Sequence, residues 1–358
     1  MVNLCKASAF SDLTPYEIFQ EWEGIPVHRG FIVQDLLHIE MDYWKRKGVR
    51  GAFIDLDGSG GVCNTYICEI PAQGMTTPQR HLFEEVILIL EGQGATSIWN
   101  EGGKKQTLEW QRGSLFSVPL NSWHQHFNGQ RKDRTLYIAM TDAPVVLNRY
   151  RNLDFVFDNS YTFSDRYCGD PDELSAAGHY VDGFMRGRVW ESNFVADVFA
   201  FEPKIHEIRG RGNRTTLFEL ANSTMSPHVS QFPAASYKKA HRHGPGAHVI
   251  ILTGHGYSFL WEEGKEEEKK RVDWGPMSMF APPLQWFHQH FNPEPSPARY
   301  VALKPYGAKY RIEKVRQGLD FDVGGGGWGG VQIDFENQPK DIHEIFVEEC
   351  KKKGAQVS

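Results

Sequence analysis

"FPAASYKKAHRHGPGAHVIILTGHG", residues 232–256, is the stretch on which the fold turns. It holds three histidines within eight positions: His241, His243 and His248. His241 and His243 are spaced i, i+2, which on an extended strand puts both imidazoles on one face. His248 lies beyond a Gly-Pro-Gly turn (Gly244, Pro245, Gly246), so parity alone does not give its direction. A second copy of the stretch resolves this. "IPAQGMTTPQRHLFEEVILILEGQG" (70–94) aligns with it without a gap, at an offset of 162 (His243 against His81). Pro71 meets Pro233, Gln79 meets His241, and Gly92 and Gly94 meet Gly254 and Gly256. Downstream, "LEWQRGSLFSVPLNSWHQHFN" (108–128) aligns with "VDWGPMSMFAPPLQWFHQHFN" (272–292) at an offset of 164 (His288 against His124). The two additional residues fall in "WEEGKEEEKKRVDW" (261–274), a charged segment that reads as a solvated hairpin tip.

Each copy breaks into short runs rich in Val, Ile, Phe and Leu, punctuated by Gly, Pro and Asn. "EVILILEG", "SLFSVP" and "TLYIAM" belong to the first, "HVIILTG", "MSMFAP" and "RYVALKP" to the second. Strands at this spacing predict all-β barrels or jelly rolls rather than βαβ units. Helices are expected only at the edges. "TPYEIFQEW" offers Thr14 as N-cap with Pro15 after it, and "PKDIHEIFVEECKKKG" ends in lysines and a glycine. The aromatic, turn-rich stretch between the copies reads as a packed connection. The predicted organisation is an N-terminal arm (1–48), a first barrel (49–145), a connection (146–195), a second barrel (196–310) and a C-terminal tail with a helix (311–358).

The 358 residues suffice for two domains at roughly 150 residues each. A net charge of −6 gives no reason to expect nucleic acid or an anionic membrane as partner. No apolar run approaches the roughly 18 residues of a membrane span, and the N-terminus lacks the pattern of a signal peptide. Five scattered cysteines with no C-x-x-C favour neither a disulfide framework nor a cysteine zinc site, and suggest a cytoplasmic protein. "GGGGWGG" (324–330) lacks the Lys-Ser/Thr of a phosphate loop and reads as a surface loop.

These motifs resemble the cupin superfamily. Its first motif is G-x5-H-x-H with a following Glu and, six residues on, a Gly; its second is G-x5-P-x-G-x2-H-x3-N. The first copy supplies Gly74, Gln79 in place of a His, His81, Glu85 and Gly92, then Gly113, Pro119, Asn121 in place of a Gly, His124 and Asn128. The second supplies His241, His243, Ala247 in place of the Glu, Gly254, Pro283, His288 and Asn292. The resemblance covers roughly 50–140 and 200–305 and implies a bicupin: two tandem double-stranded β-helix barrels with short terminal helices. "AHRHGPGAHVIILTGHG" (240–256) is also similar to ring-cleaving dioxygenases of the gentisate 1,2-dioxygenase type, which carry an HRH motif and bind Fe(II) through three histidines. In those proteins the motif stands in the first barrel, and here it stands in the second.

For the second barrel, His241 and His243 from one strand and His288 from another are the expected metal ligands. Imidazole suits iron, copper, nickel or zinc, and three ligands leave open positions. The resemblance implies Fe(II) first, with Mn, Ni, Cu or Zn as alternatives. With no carboxylate ligand the metal keeps its full charge, which favours a small anionic chelating substrate; the resemblance implies that this substrate is of aromatic or enol type, with O2 as co-substrate. For the first barrel the candidate set is Gln79, His81, Glu85 and His124. It resembles the set of cupin-type phosphomannose isomerases, and the weaker Gln ligand equally fits a purely structural barrel. His290 and His126, two residues beyond the motif histidines, share their face and are either acid/base groups or supports for the ligands. His248 aligns with Val86, one past Glu85, and is expected to point away from the barrel interior into packing. Arg80 and Arg242, between motif positions, should also face away, and Glu84 should be solvated or at an interface. The leading expectation is a metal-dependent dioxygenase, with a non-oxidative metalloenzyme or a non-catalytic small-molecule-binding bicupin as competitors. Exposed strand edges make a homo-oligomer plausible.

Overall fold

The computed structural model describes residues 4, 12–182, 187–244, 246–307, 309 and 331–357. The glycine-rich run 324–330 lies outside the described residues.

The near-continuous apolar runs set the architecture. A strand with one wet face alternates, whereas one covered on both faces reads apolar throughout. In Glu85–Glu91, Ile87 and Ile89 point into a first barrel core with Phe53, Phe116 and Tyr137. Val86, Leu88 and Leu90 join a different cluster that also holds Phe218, Val229, Ile250, Met279 and Val301 from the second copy. His248–Thr253 repeats the pattern: Val249 and Ile251 face the second barrel's own interior, while Ile250 and Leu252 face the first barrel. The chain therefore forms two tandem cupin barrels packed face to face over a shared apolar layer.

In the first barrel, a large sheet runs from Val27–Gly30 through Val49–Leu56, Asn64–Ile70, Thr135–Thr141 and Glu85–Glu91 to Leu115–Val118. A three-stranded sheet of Trp123–Asn128, Gln93–Trp99 and Gln106–Gln111 faces it. The second barrel repeats this with Val189–Ser192, Arg214–Leu220, His228–Phe232, Ala298–Leu303 and His248–Thr253 opposite Lys270–Trp274, Gly256–Trp261, Phe287–Asn292 and Ala240–Arg242.

The repeat extends further upstream than the motifs. Val27–Gly30 pairs in parallel with Val49–Leu56, and Val189–Ser192 pairs in parallel with Arg214–Leu220. Two residues on, each unit sends a short strand to the other barrel. Ile32–Val33 pairs with Met279–Phe280 of the second barrel, and Phe194–Val195 pairs with Leu115–Phe116 of the first. The arm and the connection thus carry equivalent strands, exchanged reciprocally, and each covers an edge of its host sheet. Two-residue strands leave no periodicity in a sequence to read.

The conserved spacing of glycines between the copies has a steric cause. A Cβ on Gly94 would lie 2.0 Å from the Phe127 carbonyl oxygen, and one on Gly256 would lie 2.1 Å from that of Phe291. Asn128 and Asn292, which end "HQHFN", are struts. The Asn128 amide donates to the carbonyls of Pro71 and Asp133 at 3.1 and 2.9 Å, and that of Asn292 to Pro233 and Ser296 at 2.8 Å each.

The terminal helices form where expected, but helices are not confined to the edges: Ala143–Tyr150 and Leu153–Phe157 stand between the two copies, the second capped by Asn152. Thr14 caps Pro15–Glu23 in a capping box with Glu17, and Lys340–Lys352 packs Ile342, Phe346 and Cys350 against the outside of the second barrel. No helix among the described residues is long and apolar enough to cross a membrane.

Candidate metal centres

In the second barrel, Ala240–Arg242 and Phe287–Asn292 run antiparallel with His241 directly opposite His288. His243, two residues past His241, projects from the same face. One ligand atom from each of the three lies within 4.8 Å of the others. Their second ring nitrogens are all spent on backbone carbonyls. The Nδ1 of His241 meets Lys239 O at 3.1 Å, that of His243 meets Gly244 O at 2.9 Å, and that of His288 meets Trp286 O at 3.2 Å. A carbonyl only accepts, so each Nδ1 carries the proton and each Nε2 presents a lone pair to the interior. Burial keeps the rings neutral, holding His241 and His288 well below the usual imidazole range and His243 down to about 4. Neutral, pre-oriented imidazoles are the form a divalent metal takes. The Arg209 guanidinium donates to the Nε2 of His241 and adds to the downward pressure on all three rings. A metal bound there takes that lone pair, and the guanidinium must turn aside by one hydrogen bond.

In the first barrel, Gln79 bridges to His124 as His241 does to His288. His81, Glu85 and His124 bring one ligand atom each within 4.8 Å of one another. The Nε2 atoms of His81 and His124 each stand 3.5 Å from Glu85 Oε2. Again Nδ1 is spent outward, on Phe83 O at 2.8 Å for His81 and on Ser122 O at 3.3 Å for His124. The Nε2 of His81, the Nε2 of His124 and Glu85 Oε2 are all buried without a hydrogen-bond partner. Buried polar atoms are almost always paired, so three orphans facing one point fit a cation between them. The other oxygen, Glu85 Oε1, accepts from the Tyr66 hydroxyl and lies 4.0 Å from Lys47 Nζ, which itself donates to Tyr66 at 2.7 Å. Burial alone would raise the Glu85 pKa, but Lys47, His81 and His124 hold it well below the ordinary carboxylate range. The Gln79 amide nitrogen donates to Arg46 O at 3.1 Å.

Behind each centre lies the same three-residue relay. The Trp110 indole donates to Thr96 Oγ1 at 2.8 Å, which meets His126 Nδ1 at 2.8 Å; the Trp274 indole donates to Ser258 Oγ at 3.0 Å, which meets His290 Nδ1 at 2.8 Å. Each hydroxyl accepts from an indole and has its own proton left to donate to Nδ1. With that donation made, His126 and His290 carry their proton on Nε2, the opposite tautomer from the carbonyl-held histidines.

His248 turns away from the centre, as its alignment with Val86 predicts. It is fully buried between the barrels, its Nδ1 meeting Gly246 O at 3.0 Å and its Nε2 meeting Ser59 Oγ of the first barrel at 3.1 Å. Arg80 and Arg242 also face away, paired with Asp158 and Glu263. Trp286 packs on Phe31 of the N-terminal arm, and Phe287 on Trp261. Glu84 departs from expectation. It is buried, paired with Arg166 at 2.6 Å, with its amide held by Asp142 at 2.7 Å. Its partners come from distant loops, which no local pattern reveals.

Sequence reasoning missed the cations. Lys47 and Arg209 each stand one residue before a glycine of positive φ, Gly48 and Gly210, ahead of their barrel's first long strand. That shared Lys/Arg-Gly step was the available signal. Lys238 and Lys304 had none.

No protein-family model matches the sequence, and no curated protein matches it. Solved structures match by shape. The oxalate decarboxylase from Bacillus subtilis at pH 4.6 aligns with a TM-score of 0.52 at 12% identity, over 89% of this chain and 82% of that one. A second oxalate decarboxylase structure, solved for its substrate binding mode, gives a TM-score of 0.51 at 11% identity, over 92% of this chain and 86% of that one. At such identities the likeness shows the fold, two cupin barrels in tandem. These neighbours are decarboxylases, so the similarity of 240–256 to ring-cleaving dioxygenases stands on the motif alone.

Proposed function

We propose that the chain is a metal-dependent enzyme whose reactive centre is the His241, His243 and His288 set, with Fe(II) as the first choice of metal and a small anionic, metal-chelating substrate. The observation that carries this is the tautomer pattern: three neutral imidazoles, two buried and His243 partly buried, each oriented by a backbone carbonyl, aim their lone pairs at one point. With Fe(II) bound, the centre supplies open positions where a chelated aromatic or enol-type substrate and O2 meet. The protein's own part is to fix the imidazoles, to place Arg209 where it can turn from His241 to an anionic oxygen of the substrate, and to present the Nε2–H of His290 as a donor to that oxygen. The first barrel fits a second metal on Gln79, His81, Glu85 and His124, buried more deeply and already partnered by Lys47.

The structural neighbours favour one competing reading, a non-oxidative conversion of a small carboxylate at the same centre, with the metal as Lewis acid. Oxygen uptake separates the two. Fe(II)-loaded protein supplied with candidate catechol-type or enol-type acids should consume O2 in step with substrate loss, and turnover under strict anaerobiosis would sink the dioxygenase reading.

A further inference from the structure

The strand that carries His241 is held on its outer side by the C-terminal end of the chain. Ala240–Arg242 is three residues long and faces the neighbouring ligand strand with His241 opposite His288. Its other edge is covered by Val331–Ile333, antiparallel, with Ile333 opposite Ala240, Gln332 opposite His241 and Val331 opposite Arg242. In the first barrel Gln79 meets His124 in an isolated bridge, and among the described residues the small sheet ends at Trp123–Asn128 with no strand beyond it. Side chains repeat the tie. The amide of Gln289, next to His288, donates to Gln338 Oε1 at 3.1 Å, and Gln338 Nε2 donates to the Tyr237 hydroxyl at 2.9 Å. That hydroxyl meets His343 Nδ1 of the C-terminal helix at 3.1 Å. Gln338 thus joins the strand of His288 to Tyr237, upstream of His241. Lys239, whose carbonyl meets His241 Nδ1, pairs with Asp334 at 2.7 Å.

So short a strand has little order of its own, and fixing loose backbone costs conformational entropy. Where that cost falls decides how tightly the histidines hold a metal. A ligand ordered before the metal arrives binds better than one the metal must order itself. The Lys239–Asp334 pair is half exposed on the Asp334 side and contributes little. The backbone ladder and the Gln289–Gln338–Tyr237 chain fix the strand instead, and Gln289 is fully buried. We infer that Val331–Ile333 and Gln338 are positioning residues for the second centre, so that docking of the C-terminal segment and metal binding by His241, His243 and His288 strengthen each other. The first set, with no such strand, is independent of that segment. The coupling is reciprocal: whatever factor docking adds to metal affinity, metal adds to docking.

This inference rests on the second set binding a metal, and the test separates the two claims. Full-length His81→Ala protein, in which only the second set is intact, is titrated with Zn(II), a redox-silent probe, and followed by calorimetry and by amide hydrogen exchange. Zn(II) should slow exchange in Val331–Ile333 about tenfold or more, the usual worth of a ligand's support. Gln338→Ala, and Gln332→Pro, which breaks the ladder opposite His241, should each weaken Zn(II) binding by a similar factor. Both should also speed exchange in Ala240–Arg242 of the metal-free protein. In a His243→Ala background, which leaves the first set, neither variant should change Zn(II) affinity, and that arm also shows that the variants are folded. Exchange in Val331–Ile333 that is indifferent to bound Zn(II), unchanged second-set affinity in both variants, or equal weakening of the two sets overturns the coupling. If His81→Ala protein takes up no Zn(II), the metal reading fails instead. Exchange in Ala240–Arg242 of the metal-free variants then still decides whether the C-terminal strand orders the ligand strand.

Discussion

The first and second barrels share one plan and diverge at several interior positions, four of which concern the side chains around the candidate centres. The strand that carries the ligands, the tautomer-fixing carbonyls, the Trp–hydroxyl–His relay and the glycines that pass under Trp110 and Trp274 are common to both. Gln79 against His241, Glu85 against Ala247, Thr76 against Lys238 and Thr141 against Lys304 are not. The shared features set where a metal can sit. The divergent ones set which side chains surround it: a carboxylate, Glu85, beside the first set and a third imidazole, His241, in the second. Scaffold and chemistry are thus written on separate residues, and each half of the comparison can be attacked alone.

The largest expected effect is on metal. His243→Ala should reduce the second centre's metal to background while His81→Ala leaves it intact, read by elemental analysis of each purified variant. Loss of all metal in His81→Ala would mean that the first barrel is the principal site.

Next comes the buried ion cluster of the first barrel. Glu85→Ala takes the acceptor from the Tyr66 hydroxyl and the counter-charge from Lys47, and removing one partner from a buried pair costs about 3–5 kcal/mol. Denaturant unfolding should show that loss, whereas Ala247→Gly in the second barrel should not. A small effect of Glu85→Ala would show that water readily replaces the carboxylate.

A pH effect should also belong to the first barrel. Burial, and then Glu84, push Asp142 up to about 7, and the second barrel has Pro305 at the equivalent position. A raised carboxyl stabilises the native state only while protonated. Its contribution is fully present below the ordinary Asp range near 4 and is lost as pH rises through about 7. Stability should therefore decline across that window by up to a few kcal/mol, since one pKa unit is worth about 1.4 kcal/mol. Asp142→Asn keeps the acceptor for the Glu84 amide and should flatten the profile; an unchanged slope would assign the titration elsewhere.

The smallest effect tests the likeness rather than the difference. Thr96→Ala and Ser258→Ala each leave an indole N–H and a histidine Nδ1 without their hydroxyl, which should cost roughly 1–3 kcal/mol in either barrel. Clearly unequal costs would show that the two relays are supported differently.

Much of this was legible in the chain. A strand's side chains alternate strictly, so i, i+2 spacing places His241 with His243, and the offset repeat adds His288. The same parity sends Arg80 and Arg242 away from the interior, and the alignment of His248 with Val86 sends it the same way. The "EVILILEG" run announces a strand buried on both faces. These are local facts, fixed by backbone geometry within a few residues. What faces a site from elsewhere is not local. Arg209 reaches His241 from 32 residues away, and Glu84 finds Arg166 and Asp142 through loops. The reciprocal exchange of Ile32–Val33 and Phe194–Val195 rests on two-residue strands with no period to read. The sequence by itself determined the two barrels and the ligand-bearing strands, because repeat and parity act along the chain. Only the tertiary structure decided the charge around the candidate metal centres, because electrostatic partners are chosen by distance in space, and a sequence does not record that distance.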